Sequence, residues 1–345
     1  MRILLTADPM IAVPPSGYGG IERIVDALVR AFRAKGHEVG LVAHPESTSP
    51  ADILYPWPDL RTGSAGAALS NSLALRRFEK GFRPEVLHSF SRLGYLLPLL
   101  CSRLPKIMSY QRHTGGPSLA LATRLGGRTL SFTGCSEFIC RMGRPMGGDW
   151  HAIPNFVDPD RYTFVPRVAD DAPLVFLSRI EANKGPDLAI AIARACGRRL
   201  ILAGNRGTDG PHLEFWDRQI APELGKNGIE WVGEIDDVRK NDLLGRAAAL
   251  LVPIQWEEPF GIVFAEALAC GTPVLTCRRG ALPEIIDPGR TGFFIGTREE
   301  GVAAVGRIRE LDRAACRRAV EQRFSVGVCG DMYIDLYRSA LMRAA

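Results

Sequence analysis

The chain has 345 residues, 46% hydrophobic and 23% charged, which is ordinary soluble globular composition with room for two domains. A net charge of +5 carried by dispersed arginines argues against nucleic-acid binding. Eight cysteines without metal-type spacing set aside zinc and a disulfide framework, and no apolar run reaches the ~20 residues that span a bilayer. The chain opens directly on a strand-like segment with no secretory signal, so a cytoplasmic setting with reduced thiols is expected.

Residues 2–7 are an apolar first strand, and the loop 8–20 leads into a helix. Ile21, Ile24, Val25, Leu28, Val29 and Phe32 mark that helix by their spacing, and Gly36 suits its C-terminal cap. Residues 37–43 form the second strand. This opening βαβ unit invites a dinucleotide reading, which fails. Gly17 and Gly19 supply G-x-G, but Glu22 stands at the third required position. No phosphate-loop motif occurs either, because Gly225-Lys226 is followed by Asn227. The glycine turn reads in two ways: as backbone amides offered to an anion at a helix N-terminus, or as a flexible turn. Short strands follow at 85–90, 106–110 and 130–135, an alternation that predicts an α/β domain with a mainly parallel sheet. Between them, Arg76, Arg77, Lys80 and Arg83 form a basic cluster. It reads first as a solvated helix face and second as weak peripheral contact with an anionic membrane.

Residues 153–173, rich in Pro, Asp and Arg, are the expected linker, and the pattern then restarts. Strands are predicted at 174–177, 199–203, 229–232, 247–253 and 272–276, a helix at 186–196, and a terminal amphipathic helix at 331–343. Arg179 and Lys184 fall on the turn after the first of these strands, where a planar fork and a point charge suit a diphosphate. A solvated cation pair is the alternative. Glu258 and Glu266 lie at another strand end. Pro259 pushes Glu258 into extended geometry outside the next helix, which Gly261 opens. Glu266 then sits roughly 7–8 Å along that helix at about 1.5 Å per residue, and a carboxylate there needs a partner. Cations for phosphate beside carboxylates for hydroxyls fit a nucleotide sugar.

These residues resemble a large family. Gly19-Gly20, His88, His113, Cys135-Ser-Glu-Phe, Ile153-Pro-Asn155, Arg179 with Lys184, Gly204, Trp231-Val-Gly233, the E-x7-E pair Glu258/Glu266, Gly271-Thr-Pro-Val and Leu282-Pro-Glu284 follow one another as in retaining glycosyltransferases of family 4. Phe90 and Phe156 depart from the pattern, where a second His and a Gly are usual. The resemblance implies the GT-B architecture: two Rossmann-like doubly wound α/β domains facing across a cleft, with the C-terminal helix returning to the first. The expected domains are 1–160 for the acceptor, 161–328 for the donor, and a terminal helix over 329–345.

The resemblance also implies roles. Arg179 and Lys184 would neutralise the leaving diphosphate, Glu258 would bind donor-sugar hydroxyls, and Glu266 the ribose. Amides at Gly261, Ile262 and Val263 would hold phosphate oxygens, and Ile235 would flank the base. Gly19 and Gly20 would close over the phosphates, and His113 would approach the transferred sugar, unless it is a core histidine. His88 is a weaker candidate than His113, since its strand is apolar and Phe90 stands at its partner position. The implied chemistry is retaining transfer from a nucleoside-diphosphate sugar, with no cofactor and no obligatory metal. The acceptor would be a small molecule, a saccharide or a lipid-linked saccharide. A sugar-nucleotide epimerase or hydrolase and a catalytically silent binding protein are the alternatives.

Overall fold

The computed structural model describes residues 1–17 and 19–344; Tyr18, in the glycine loop, and Ala345, at the chain's end, lie outside the described residues. The chain divides into two compact units. One comprises Met1–Asn155 with Val326–Ala345, the other Phe156–Ser325.

The first unit is built on seven strands, β1 (Arg2–Thr6), β2 (Glu38–Ala43), β3 (Ile53–Pro56), β4 (Val86–Ser89), β5 (Lys106–Tyr110), β6 (Leu130–Gly134) and β7 (Asp149–Ala152). They pair in parallel in the order β3-β2-β1-β4-β5-β6-β7. The central strands are covered on both faces, so they carry continuous apolar runs; Ile3, Leu4 and Leu5 are fully buried. Helices α1 (Gly20–Ala34), α2 (Ala65–Phe82), α3 (Pro117–Gly126) and α4 (Glu137–Gly143) supply that cover. Of the stripe predicted for α1, Ile24, Val25, Leu28, Val29 and Phe32 are buried, and Ile21 at its start is half-buried.

The second unit holds β8 (Leu174–Leu177), β9 (Leu200–Ala203), β10 (Ile229–Trp231), β11 (Ala249–Val252), β12 (Val274–Thr276) and β13 (Gly292–Phe294). They too are parallel, in the order β10-β9-β8-β11-β12-β13. Around them lie α5 (Pro186–Ala195), α6 (Gly210–Phe215), α7 (Asp237–Arg246), α8 (Ile262–Ala269), α9 (Leu282–Ile285), α10 (Arg298–Gly306) and α11 (Arg313–Arg323). The strand order reverses between β8 and β11, and ligands of such sheets bind at the carboxyl ends of the strands flanking that reversal. The expected cation turn leaves β8, and the acidic loop leaves β11.

The segment that opens this unit is fixed by arginines of α11. Arg313 donates to the carbonyls of Val165, Gly245 and Ala247 at 2.7, 2.8 and 2.9 Å. Arg317 donates to those of Pro159, Tyr162 and Ala269 at 2.9, 3.0 and 3.1 Å. Loop carbonyls, and those at the C-terminal ends of α7 and α8, are thereby satisfied. The chain then re-enters the first unit as α12 (Val326–Ala344), which buries Tyr333 and Tyr337. His88 on β4 bridges the Tyr337 hydroxyl at 2.5 Å and the Ser109 hydroxyl at 2.6 Å. It is a core residue tying the last helix to the sheet.

Candidate functional site

Lys184 and Glu258 meet at the strand reversal of the second unit. Both are buried, and Lys184 Nζ donates to Glu258 Oε2 at 2.8 Å. Lys184 arrives on a short turn after β8, and Glu258 on the loop between β11 and α8; the Gln255 amide donates to the Asn183 carbonyl at 2.9 Å, locking the two loops together. The Trp256 indole N–H donates to the same Glu258 oxygen at 2.8 Å, and Lys184 Nζ stands 4.6 Å from the Trp256 ring centroid.

Two glycines make room for Glu258, one beside its side chain and one against its backbone. Gly261 has φ +81°, and a Cβ there would come 2.6 Å from the Phe264 ring and 3.2 Å from Glu258 Cγ. Gly280 has φ +55°, and its Cβ would lie 2.2 Å from the Glu258 carbonyl oxygen. Gly261 is the N-cap of α8 and offers no capping side chain. Ile262 and Val263 therefore open the helix with amides available to an anion, on the positive end of its dipole.

Arg179 follows β8 as expected, but it is exposed and bonded to its own neighbour, Glu181 Oε1, at 2.6 Å. Glu266 lies on the second turn of α8, buried, and has found the partners it requires. Oε1 accepts from the Tyr162 hydroxyl at 2.8 Å and from Lys240 Nζ at 2.6 Å. Burial works against the Lys240 charge, yet the Glu266 and Asp237 carboxylates outweigh it and hold the ammonium above its ordinary pKa. Burial and the Glu266 charge push the Tyr162 phenol far up, so it remains a donor. Ile235 is half-buried on the loop between β10 and α7.

Gly19, Gly20 and His113 belong to the first unit. Gly19 caps α1 and Gly20 is its first residue. His113 is exposed on the loop after β5, its ring 5.8 Å from that of Phe138, which rules out the core reading. Beneath the glycine turn lies Glu22, buried; desolvation raises its pKa, against its own backbone amide and Arg112.

Tyr162, Lys240, Trp256 and Glu181 were not among the predicted site residues. Trp256 and Glu181 stand two residues from predicted ones, a signal that proximity could have supplied. Tyr162 lies 104 residues from Glu266, and only the fold reveals it. A cavity of about 780 Å³ opens at the other end of the second sheet, beside Arg198, Arg309 and Arg313. Arg198 and Arg313 bind backbone carbonyls, and Arg309 pairs with Asp170, so these three cations hold the linker in place. Among the described residues no group of three His, Cys, Asp or Glu is placed to hold a metal ion.

Two family models match adjoining stretches that cover most of the chain: glycosyltransferase family 4 over residues 18–161, and glycosyl transferases group 1 over 163–321. Glycogen synthase of Mycobacterium tuberculosis is 27% identical over 94% of this chain and 90% of its own length. D-inositol 3-phosphate glycosyltransferase of Mycobacterium bovis is 34% identical, over 50% of this chain and 38% of its own. Among solved structures, a glycosyltransferase involved in avilamycin A biosynthesis aligns with TM-score 0.74 and 27% identity over 99% of this chain and 98% of that one. Sucrose-phosphate synthase from Thermosynechococcus elongatus shares the fold, with TM-score 0.78 at 20% identity over the whole of both chains. With two α/β units, each built on a parallel sheet, and two adjoining family matches, the chain belongs to the family 4 glycosyltransferases of the GT-B fold, and is an enzyme of sugar transfer.

Proposed function

We propose that this enzyme moves a sugar from a nucleoside-diphosphate sugar to an acceptor hydroxyl, with retention of anomeric configuration and without an obligatory metal. The observation that carries the reading is the buried Lys184–Glu258 pair at the strand reversal, beside the uncapped N-terminus of α8. A diphosphate at that helix end is stabilised by its amides and by Lys184, and Arg179 adds an exposed cation that can exchange Glu181 for phosphate. Negative charge grows on the diphosphate as the glycosidic bond breaks, so fixed positive groups lower the barrier electrostatically. Glu258 faces the hydroxyls of the transferred sugar, Glu266 takes the ribose, and Ile235 flanks the base. Gly19, Gly20 and His113 keep, as proposals, the phosphate-closing and sugar-approaching roles that the resemblance implies. The acceptor is proposed to be a small molecule, a saccharide or a lipid-linked saccharide.

The test has two stages. UDP, GDP, ADP and TDP, alone and bearing sugars, are screened for a rise in melting temperature, since a ligand that binds the folded state stabilises it. Transfer from the best donor is then assayed in EDTA. Activity should persist there, and Glu258→Ala and Lys184→Ala should each lower kcat by at least ~10²-fold, the scale for removing one charge-stabilising group. Circular dichroism should remain that of wild type. Near-wild-type rates in either variant would sink the assignment.

A further inference from the structure

The two acids of the E-x7-E pair stand in matching clamps. Glu258 Oε2 accepts from Lys184 Nζ and from the Trp256 indole N–H, both at 2.8 Å, and the lysine lies over that ring, 4.6 Å from its centroid. Glu266 Oε1 accepts from Lys240 Nζ at 2.6 Å and from the Tyr162 hydroxyl at 2.8 Å, with this lysine 6.0 Å from the tyrosine centroid. In each case one carboxylate oxygen is held by a cation and an aromatic donor. The other, Glu258 Oε1 or Glu266 Oε2, takes no hydrogen bond from any described residue.

A carboxylate with both oxygens free to rotate loses entropy when it binds a hydroxyl; one already fixed on an edge does not. We infer that Trp256 and Tyr162 are positioning residues, which aim the second oxygen of Glu258 and of Glu266 at two different hydroxyl-bearing parts of one ligand. This rests on the donor reading above, and sharpens it. Trp256 acts on recognition of the sugar, and Tyr162 on recognition of the ribose diol. The lysines fix charge, and the aromatic X–H groups fix direction. The two clamps are independent, because they share no residue.

The conservative variants Trp256→Phe and Tyr162→Phe keep an aromatic ring under each lysine and remove one hydrogen bond. Affinities are measured by calorimetry for the best nucleoside diphosphate of the screen, its 2′,3′-dideoxy form, and the same diphosphate bearing its sugar. Tyr162→Phe should weaken the ribonucleotide about fivefold, the scale of one hydrogen bond, and leave the dideoxy form unchanged. Trp256→Phe should weaken the sugar-bearing donor by a similar factor and leave the bare diphosphate unchanged. A merely structural role would weaken every ligand equally, and that result, or no change in either variant, overturns the inference. Failure of the wild type to bind any of the four diphosphates overturns the donor reading itself, and this inference with it. Wild-type binding with undifferentiated variants overturns the positioning roles alone.

Discussion

His88 shows how one residue couples protonation to folding. It is fully buried, it joins Tyr337 on α12 to Ser109 on β5, and burial pushes its pKa from 6.5 down to about 3. The ring stays neutral in the fold, so one nitrogen accepts while the other donates. In the unfolded chain it titrates near 6.5. Between these values the unfolded state binds a proton that the folded state refuses, so stability falls as pH drops from 6.5 toward 3. The effect is absent above 6.5 and levels off below 3. Denaturation midpoints at a series of pH values should show a steeper acid loss in wild type than in His88→Gln, by up to about 1.4 kcal/mol per pH unit. Parallel slopes would refute the linkage. Next to Glu266 the balance runs the other way, since a carboxylate partner outweighs burial for Lys240.

Helix α2 leaves large apolar side chains open to solvent. Its cap is conventional, with the Ser64 hydroxyl accepting from the Ala67 amide, and it buries Ala67, Asn71, Ser72, Leu75 and Phe82. Outward it presents Leu69 and Leu73, 60% and 58% exposed, with Arg77 and Lys80 further along the same side. Two exposed leucines beside cations are the make-up that contact with an anionic bilayer requires. Co-sedimentation with anionic vesicles should therefore be measurable at low salt, drop when salt is raised, and weaken in Leu69→Ser/Leu73→Ser. Binding that ignores salt, or none at all, would return the helix to a solvated face. The edge strands β3, β7 and β13 escaped prediction for a related reason. Each meets one neighbour only, and they carry Pro56, Asp149 and a three-residue Gly-Phe-Phe in place of a long apolar run.

At the scale of the molecule, the chain leaves its first unit at Asn155 and returns to it at Val326. Tyr333, Ile334, Leu336 and Tyr337 of α12 are all buried. At about 2 kcal/mol per large side chain their burial contributes ~8 kcal/mol, which lies within the whole stability of a typical domain. A chain ending at Ser325 should therefore lose the melting transition of its first unit. A truncated protein that melted in two wild-type transitions would show the helix to be dispensable. Linear order hides this dependence, because the last helix completes a core begun some 300 residues earlier.

What the sequence determined by itself was the fold class and the residues to inspect as a candidate site. Parallel strands buried on both faces need continuous apolar runs, and Pro259 and Gly261 dictate where the acidic loop ends and α8 begins. Glu258, Lys184 and the α8 amides could thus be named from local rules, and so could the need for a partner at Glu266. Which partner was decided only by tertiary structure. Tyr162 and Lys240 converge on Glu266 because α7 and the pinned linker segment pack beside α8, and no spacing rule links residues 162, 240 and 266. The pairing of Arg179 with Glu181, and of Trp256 with Glu258, likewise depends on rotamers that sequence leaves open. Local backbone preference reads one segment at a time, whereas the direction of a buried carboxylate is fixed by whichever distant groups the fold brings against it.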